Sequence, residues 1–99
     1  MNEKATLVVT ATPNPHEMEA VKDYLQGVLP LLLGAGGKPV KRLKVEELIH
    51  GTGCGMVLVM DFDSNEAINN LFESEEYATL IPLRDQGFIE INIFSTHEM

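Results

Sequence analysis

Short β-branched runs alternate along this chain with stretches of helical spacing. Ala5 to Thr12 (ATLVVTAT) predicts a first strand, with Leu7, Val9 and Ala11 on one face and Thr6, Val8 and Thr10 on the other. Asn14-Pro15-His16-Glu17 reads as a helix start: Asn14 as cap, Pro15 at the first helical position, Glu17 at the reciprocal place of a capping box. Met18, Val21, Leu25, Val28, Leu29 and Leu32 then recur with the spacing of one helix face. Pro30 lacks an N–H and crowds the carbonyl four residues back, which predicts a kink or break. Gly34, Gly36 and Gly37 are expected to end the helix by admitting left-handed backbone.

Lys38 to His50 predicts a second strand, with Leu43, Val45 and Ile49 on one face and Arg42, Lys44, Glu46, Leu48 and His50 on the other. A short turn, Gly51-Thr52-Gly53, leads into a third strand, Cys54 to Phe62, so the two strands read as a hairpin. Ser64 is placed to cap a short helix carrying Ala67, Ile68, Leu71 and Phe72. Ser74-Glu75-Glu76-Tyr77 reads as a second capped turn running towards Pro82, and Gly87 closes the region. Phe88 to Thr96 is the fourth strand, with Ile89, Ile91 and Ile93 on one face and Phe88, Glu90, Asn92 and Phe94 on the other. The order β-α-β-β-α-β predicts an α+β, ferredoxin-like domain: a four-stranded antiparallel sheet with its helices on one face.

Helices on one face leave the other open, yet the third strand is apolar on both sides. Met56, Leu58, Met60 and Phe62 alternate with Val57 and Val59, and Val8, Phe88 and Phe94 add apolar groups. A sheet with one wet face alternates more cleanly. The pattern predicts a two-fold homodimer packed sheet against sheet.

Composition narrows the partners. The 99 residues fit one domain spanning 1–99, and 15 Asp and Glu against 7 Lys and Arg leave a net charge of −8. Such a chain repels phosphate backbones and anionic lipid, which argues against nucleic-acid and membrane binding. The longest apolar stretch, Val28 to Leu33, is far shorter than the roughly 20 residues of a membrane helix. No leader pattern opens the chain, and the lone Cys54 makes no internal disulfide, so a soluble cytoplasmic protein is expected.

Several local motifs carry a family resemblance. They are the run Ile49-His50-Gly51 through Gly55-Met56-Val57, the Phe62-Asp63-Ser64 join, and above all Ser74-Glu75-Glu76-Tyr77 followed by Pro82-Leu83-Arg84. On these the chain resembles the uncharacterised family called domain of unknown function 1330, within the dimeric α/β-barrel superfamily, from Leu7 to about Phe94. The resemblance implies a ferredoxin-like dimeric barrel and no particular activity. The wider superfamily includes small monooxygenases, lactone isomerases and haem-degrading enzymes whose catalytic residues differ between branches. The Trp used by some of the monooxygenases is missing here.

Candidate chemistry is sparse. His50, at the end of the second strand, fits a proton-transfer group or a hairpin-end histidine in water. Asn92 and Glu90 share a face with Phe94; lining a cavity, Asn92 would orient a carbonyl or hydroxyl and Glu90 would act as a base with a raised pKa. Thr10 and Asp61 fall near the ends of what this order makes two central, parallel strands, Thr10 facing the cleft and Asp61 either accepting a hydrogen bond from a substrate or capping the following helix region with Asp63 or standing in solvent. Arg84, beside Asp85, would hold an acidic ligand or fix its loop, and Tyr77 reads as a packing residue. Lys38, Lys41, Arg42 and Lys44 hold four of the seven basic residues; Arg42 joins the ligand-binding candidates, although charge that protects an edge strand explains the cluster equally.

Gly51-x-Gly53-x-Gly55 lies in a hairpin rather than before a helix and is not a dinucleotide fingerprint, so no cofactor is expected. His16, His50 and His97 are too scattered to predict a metal site, and Cys54 reads as a small buried filler. Two readings remain. One is a cofactor-independent enzyme acting on a small organic molecule in a cavity beside the sheet, with His50, Asn92 and Thr10 as its polar groups. The other is a non-catalytic ligand-binding or interaction module.

Overall fold

The structure is a computed structural model that describes residues 4–99. Its elements run β1 (Ala5–Pro13), α1 (Met18–Gly34), β2 (Lys38–Lys44), β3 (Met56–Phe62), α2 (Asn65–Phe72), α3 (Glu75–Ala78), α4 (Ile81–Gly87) and β4 (Phe88–Thr96). The strands form one sheet in the order β2-β3-β1-β4, and every neighbouring pair is antiparallel. This is the ferredoxin-like arrangement that the element order predicts. The two central strands are antiparallel rather than parallel, because the hairpin after β2 reverses β3 relative to β1. Thr10 and Asp61 therefore lie at opposite ends of the sheet: Thr10 faces Val57, and Asp61 pairs with Thr6 and accepts its hydroxyl at 2.9 Å.

The core lies between the sheet and the helices. Ala5, Leu7 and Ala11 of β1 and Met60 and Phe62 of β3 are buried there against Val21, Tyr24, Val28 and Leu32 of α1. The buried stripe of α1 is centred on Tyr24. Leu25 and Leu29 are left half-buried on its flank, and Met18 is exposed. Helix α1 continues through Pro30 to Gly34 without breaking. Pro30 and Gln26 are both exposed, so the missing bond lies on the solvent side of the helix.

Two local signals resolve differently from their reading in sequence. Asn14 makes a turn ahead of the helix rather than capping it: its Oδ1 accepts the His16 N–H at 2.9 Å and its carbonyl accepts the Glu17 N–H. Glu17 occupies the cap position without a side-chain bond to the helix, and its carboxylate takes the Gln86 amide instead. At the other end only Gly36 adopts left-handed backbone, with φ +91. Gly36 N–H donates to the Leu33 carbonyl and Gly37 N–H to the Leu32 carbonyl, the paired bonds of a Schellman ending. Gly37 is needed for space, since a Cβ there would sit 2.7 Å from the Leu32 carbonyl oxygen. Ser64 and Ser74 cap α2 and α3 through Ala67 N–H and Tyr77 N–H, as their spacing predicts.

Strand β2 ends at Lys44, well short of His50. The last rung is Val45 N–H to the Gly55 carbonyl, and residues 46–54 leave the sheet as an exposed loop. The alternation of Leu48 and Ile49 that suggested a longer strand meets no layer to bury it: Ile49 is 91% exposed. In β4 a register shift opposite Thr12 and Pro13 leaves Ile89 as the extra residue. This bulge turns Phe88 into the core with Ile91 and Ile93 and puts Ile89 in solvent, which reverses the predicted facing of those two residues.

Candidate functional site

The face of the sheet away from the helices is built in rows by the strand register. One row runs Val59–Val8–Phe94 across β3, β1 and β4, and the next runs Leu43–Val57–Thr10–Asn92 across all four strands. Leu43 and Phe94 are about half exposed, at 47% and 49%. At the β4 side the apolar rows give way to a polar corner where Thr12 faces Glu90.

This corner brings together three of the residues singled out in the sequence. Asn92 Nδ2 donates to Thr10 Oγ1 at 3.3 Å and to Glu90 Oε1 at 3.4 Å. Both bonds are long, and both use the amide nitrogen, so among the described residues Asn92 Oδ1 has no partner and is open as an acceptor. The three side chains line a pocket of about 220 Å³ with Thr12 and with Thr52, Gly53 and Cys54 of the β2–β3 loop. A carboxylate, an amide and threonine hydroxyls on one concave surface suit a small molecule carrying hydroxyl or amide groups.

The other candidates lie elsewhere. His50 is exposed in the β2–β3 loop and does not line this pocket. Arg42 pairs with Leu58 and stands on the helix side of the sheet edge, with Lys44, Leu25 and Leu29 around a groove of its own. Arg84 belongs to a third place, a buried pair of tyrosines. Thr52 and Cys54 were not foreseen as pocket residues, because their reach depends on the loop that replaces the predicted strand end.

The Tyr24 and Tyr77 hydroxyls meet at 2.7 Å in the interior, and Arg84 Nη1 donates to Tyr77 Oη at 3.3 Å. Asp85 holds Arg84 from the other side at 3.1 Å. Burial lowers the guanidinium pKa, but the hydrogen bonds to Tyr77 and Asp85 and their charges outweigh it and leave Arg84 above its ordinary value. Tyr24 is pushed far above the usual phenol range, chiefly by burial and then by its bond to Tyr77. Sequence reading missed Tyr24, although an aromatic between Val21 and Val28 at three- and four-residue steps marks the centre of a helix face.

The Tyr24 shift has a testable sign. Its folded pKa lies above the unfolded value of about 10, so the stability it contributes is present below that pH and is lost above it. Urea denaturation is expected to show a lower midpoint at about pH 11 than at about pH 8, and Tyr24→Phe is expected to reduce that difference. An equal loss in the variant would remove Tyr24 as its source.

Comparison with known proteins agrees with this architecture. Among solved structures, a protein of unknown function from Rhodopseudomonas palustris superposes with a TM-score of 0.83 at 14% identity, over 100% of this chain and 85% of that one. A Dabb-family protein with a ferredoxin-like fold from Mesorhizobium loti gives 0.71 at 12% identity over 98% of each chain. A dimeric ferredoxin-like protein of unknown function from Thermobifida fusca gives 0.60 at 11% identity, over 99% of this chain and 93% of that one. At these identities the likeness carries the fold alone. No curated protein matches the sequence. The family profile called domain of unknown function (DUF1330) matches residues 5–94, nearly the whole of the described fold, and the chain belongs to that family.

Proposed function

We propose that this protein is a cytoplasmic homodimer, packed open sheet face to open sheet face, that binds a small polar organic molecule at the Thr10–Glu90–Asn92 pocket without a cofactor. The observation that carries the proposal is the shared Asn92 amide, poised between Thr10 and Glu90 and leaving its carbonyl unused. Dimerisation is supported by the partly exposed apolar row of Val8, Val59 and Phe94 beside that pocket, and by the description of the Thermobifida fusca protein as dimeric. Packing a second copy on this face would draw water away from Glu90 and Asn92 and strengthen their hydrogen bonds to a ligand.

A binding role is favoured over catalysis by the composition of the pocket. His50, the residue best suited to proton transfer at neutral pH, lies outside it, which leaves Glu90 as its carboxylate. The catalytic reading survives with Glu90 as base.

Native mass spectrometry of gently purified protein is expected to give a dimer retaining a discrete small mass. Asn92→Ala is expected to weaken that binding about tenfold, the worth of one or two hydrogen bonds, and to change stability by less than about 0.5 kcal/mol because Asn92 is exposed. Equal retention by Asn92→Ala and by Glu90→Gln would overturn the pocket assignment. Turnover of the retained molecule, abolished in Glu90→Gln, would convert the binder into an enzyme.

A further inference from the structure

The edge of the sheet opposite the polar corner holds a second concave surface. Every residue of β2 is exposed, so the helix layer stops short of this strand. The gap is a groove of about 350 Å³ between Leu25 and Leu29 of α1 and the ends of β2 and β3. Its floor is apolar, with Met56 and Leu58, and its rim carries Arg42 and Lys44. Behind the same floor lies an apolar cavity of about 40 Å³ inside the core, walled by Leu7, Val9, Tyr24 and Val28 among others. Leu25, Met56 and Leu58 are walls of both spaces. One layer of flexible side chains thus separates a cation-rimmed groove from the centre of the core.

The charge on the rim is unusual for this molecule. The chain is strongly acidic, yet four of its seven basic residues stand on β2. Among the described residues neither Arg42 nor Lys44 has a carboxylate within ion-pair distance, the Arg84–Asp85 contact being the one found. Sheet-edge protection explains charge on β2. It does not explain why these two cations border an apolar floor on the helix side.

We infer that the groove between α1 and β2 binds an amphiphilic carboxylate, its chain on Leu25, Leu29, Met56 and Leu58 and its head group between Arg42 and Lys44. The volume lies at the small end of the range for ligand sites, about 300–1,000 Å³, which sets a medium-length chain as the occupant. Arg42 supplies the bidentate fork that matches a carboxylate, and Lys44 a second charge beside it. The core cavity is too small to take a chain and is dry by its lining; displacement of Leu25 or Met56 admits the terminal methyl group.

The test is titration calorimetry of the whole protein with straight-chain carboxylates kept below micelle-forming concentration. Decanoate is expected to bind saturably with one site per chain, hexanoate more weakly and acetate not measurably. Affinity is expected to rise by up to about fourfold per added methylene and then to level off once the groove is filled. The doubly substituted Arg42→Ala, Lys44→Ala protein, altered only at exposed positions, is expected to lose at least about tenfold in decanoate affinity, and decan-1-ol to bind the unaltered protein correspondingly weakly. Asn92→Ala is expected to bind decanoate normally, so this site and the polar pocket fail separately. Decanoate binding that is absent, that ignores the loss of Arg42 and Lys44, or that is matched by decan-1-ol would overturn the inference. Cosedimentation with phosphatidylglycerol vesicles without binding of free decanoate would overturn it too, by assigning the strip to a membrane surface.

Discussion

Tyr77→Ala is expected to destabilise the chain by about 3–5 kcal/mol, a large part of the 5–15 kcal/mol that holds a domain of this size folded. Tyr77 is 2% exposed and its ring is wedged edge-on between Phe72, at a centroid distance of 4.8 Å, and Tyr24, at 6.2 Å. Truncation removes both aromatic contacts and leaves a cavity where α1, α2 and α3 meet. It also strands the Tyr24 hydroxyl, 4% exposed, and takes from Arg84 the acceptor that balances its partial burial. Tyr77→Phe separates these losses. The ring stays, so the cost is expected to fall to about 1–3 kcal/mol, that of a buried donor without a partner. Because Tyr24→Phe orphans the same bond from the other end, the double variant is expected to be about as stable as either single one. Two single losses that simply added in urea denaturation would show that the hydroxyls do not act as a pair. The Ser-x-Glu-Tyr motif thus has a physical reading: Ser74 caps the turn that aims Tyr77 at Tyr24, and Arg84 closes over the far side.

The parts of the fold visible in the sequence are those encoded by neighbours in the chain. Ser64 and Ser74 announce their caps three residues ahead, and β1 shows its two faces as Leu7, Val9 and Ala11 alternate with Thr6, Val8 and Thr10. The open apolar face is legible in β3, where Val57 and Val59 are apolar on the side away from Met56, Leu58 and Met60; the pairing of Thr10 with Asn92 is not, because it depends on the register between β1 and β4. Features set by distant partners were not visible. The Tyr24–Tyr77 bond joins residues 53 positions apart, and nothing local to either announces the other. The bulge at Ile89 is imposed by the end of β1, where Pro13 has no N–H to continue the ladder, so an ideal alternation in β4 misplaced Phe88. The premature end of β2 has the same origin. Glu46 to His50 alternates well enough for a strand, but across the predicted hairpin it would meet Thr52 to Gly55, which have little side chain to pack, and Glu46 to His50 are all exposed.

Val8→Glu is expected to convert the proposed dimer to a monomer, raising the dissociation constant by about a thousandfold or more, which corresponds to about 4 kcal/mol. Val8 sits at the middle of the open face, opposite Val59 on one side and Phe94 on the other. In a lone chain a glutamate there reaches water and costs little, because the position is already partly exposed. In a face-to-face pair the two-fold axis brings two such carboxylates into one apolar layer, unpaired and desolvated, and the penalty is counted twice. Sedimentation velocity is therefore expected to report a folded monomer, with the circular dichroism of the unaltered protein and a lower melting temperature because the linkage of assembly to stability is gone. Lys41→Glu, on the exposed edge strand at the end of the same row, is expected to leave the dimer intact. A Val8→Glu protein that still sediments as a dimer would place the interface elsewhere. The same variant also decides whether the polar corner is complete in one chain. Thr10, Glu90 and Asn92 keep their positions in the monomer, so loss of the retained molecule on dissociation would mean that the second copy supplies the missing wall of the site.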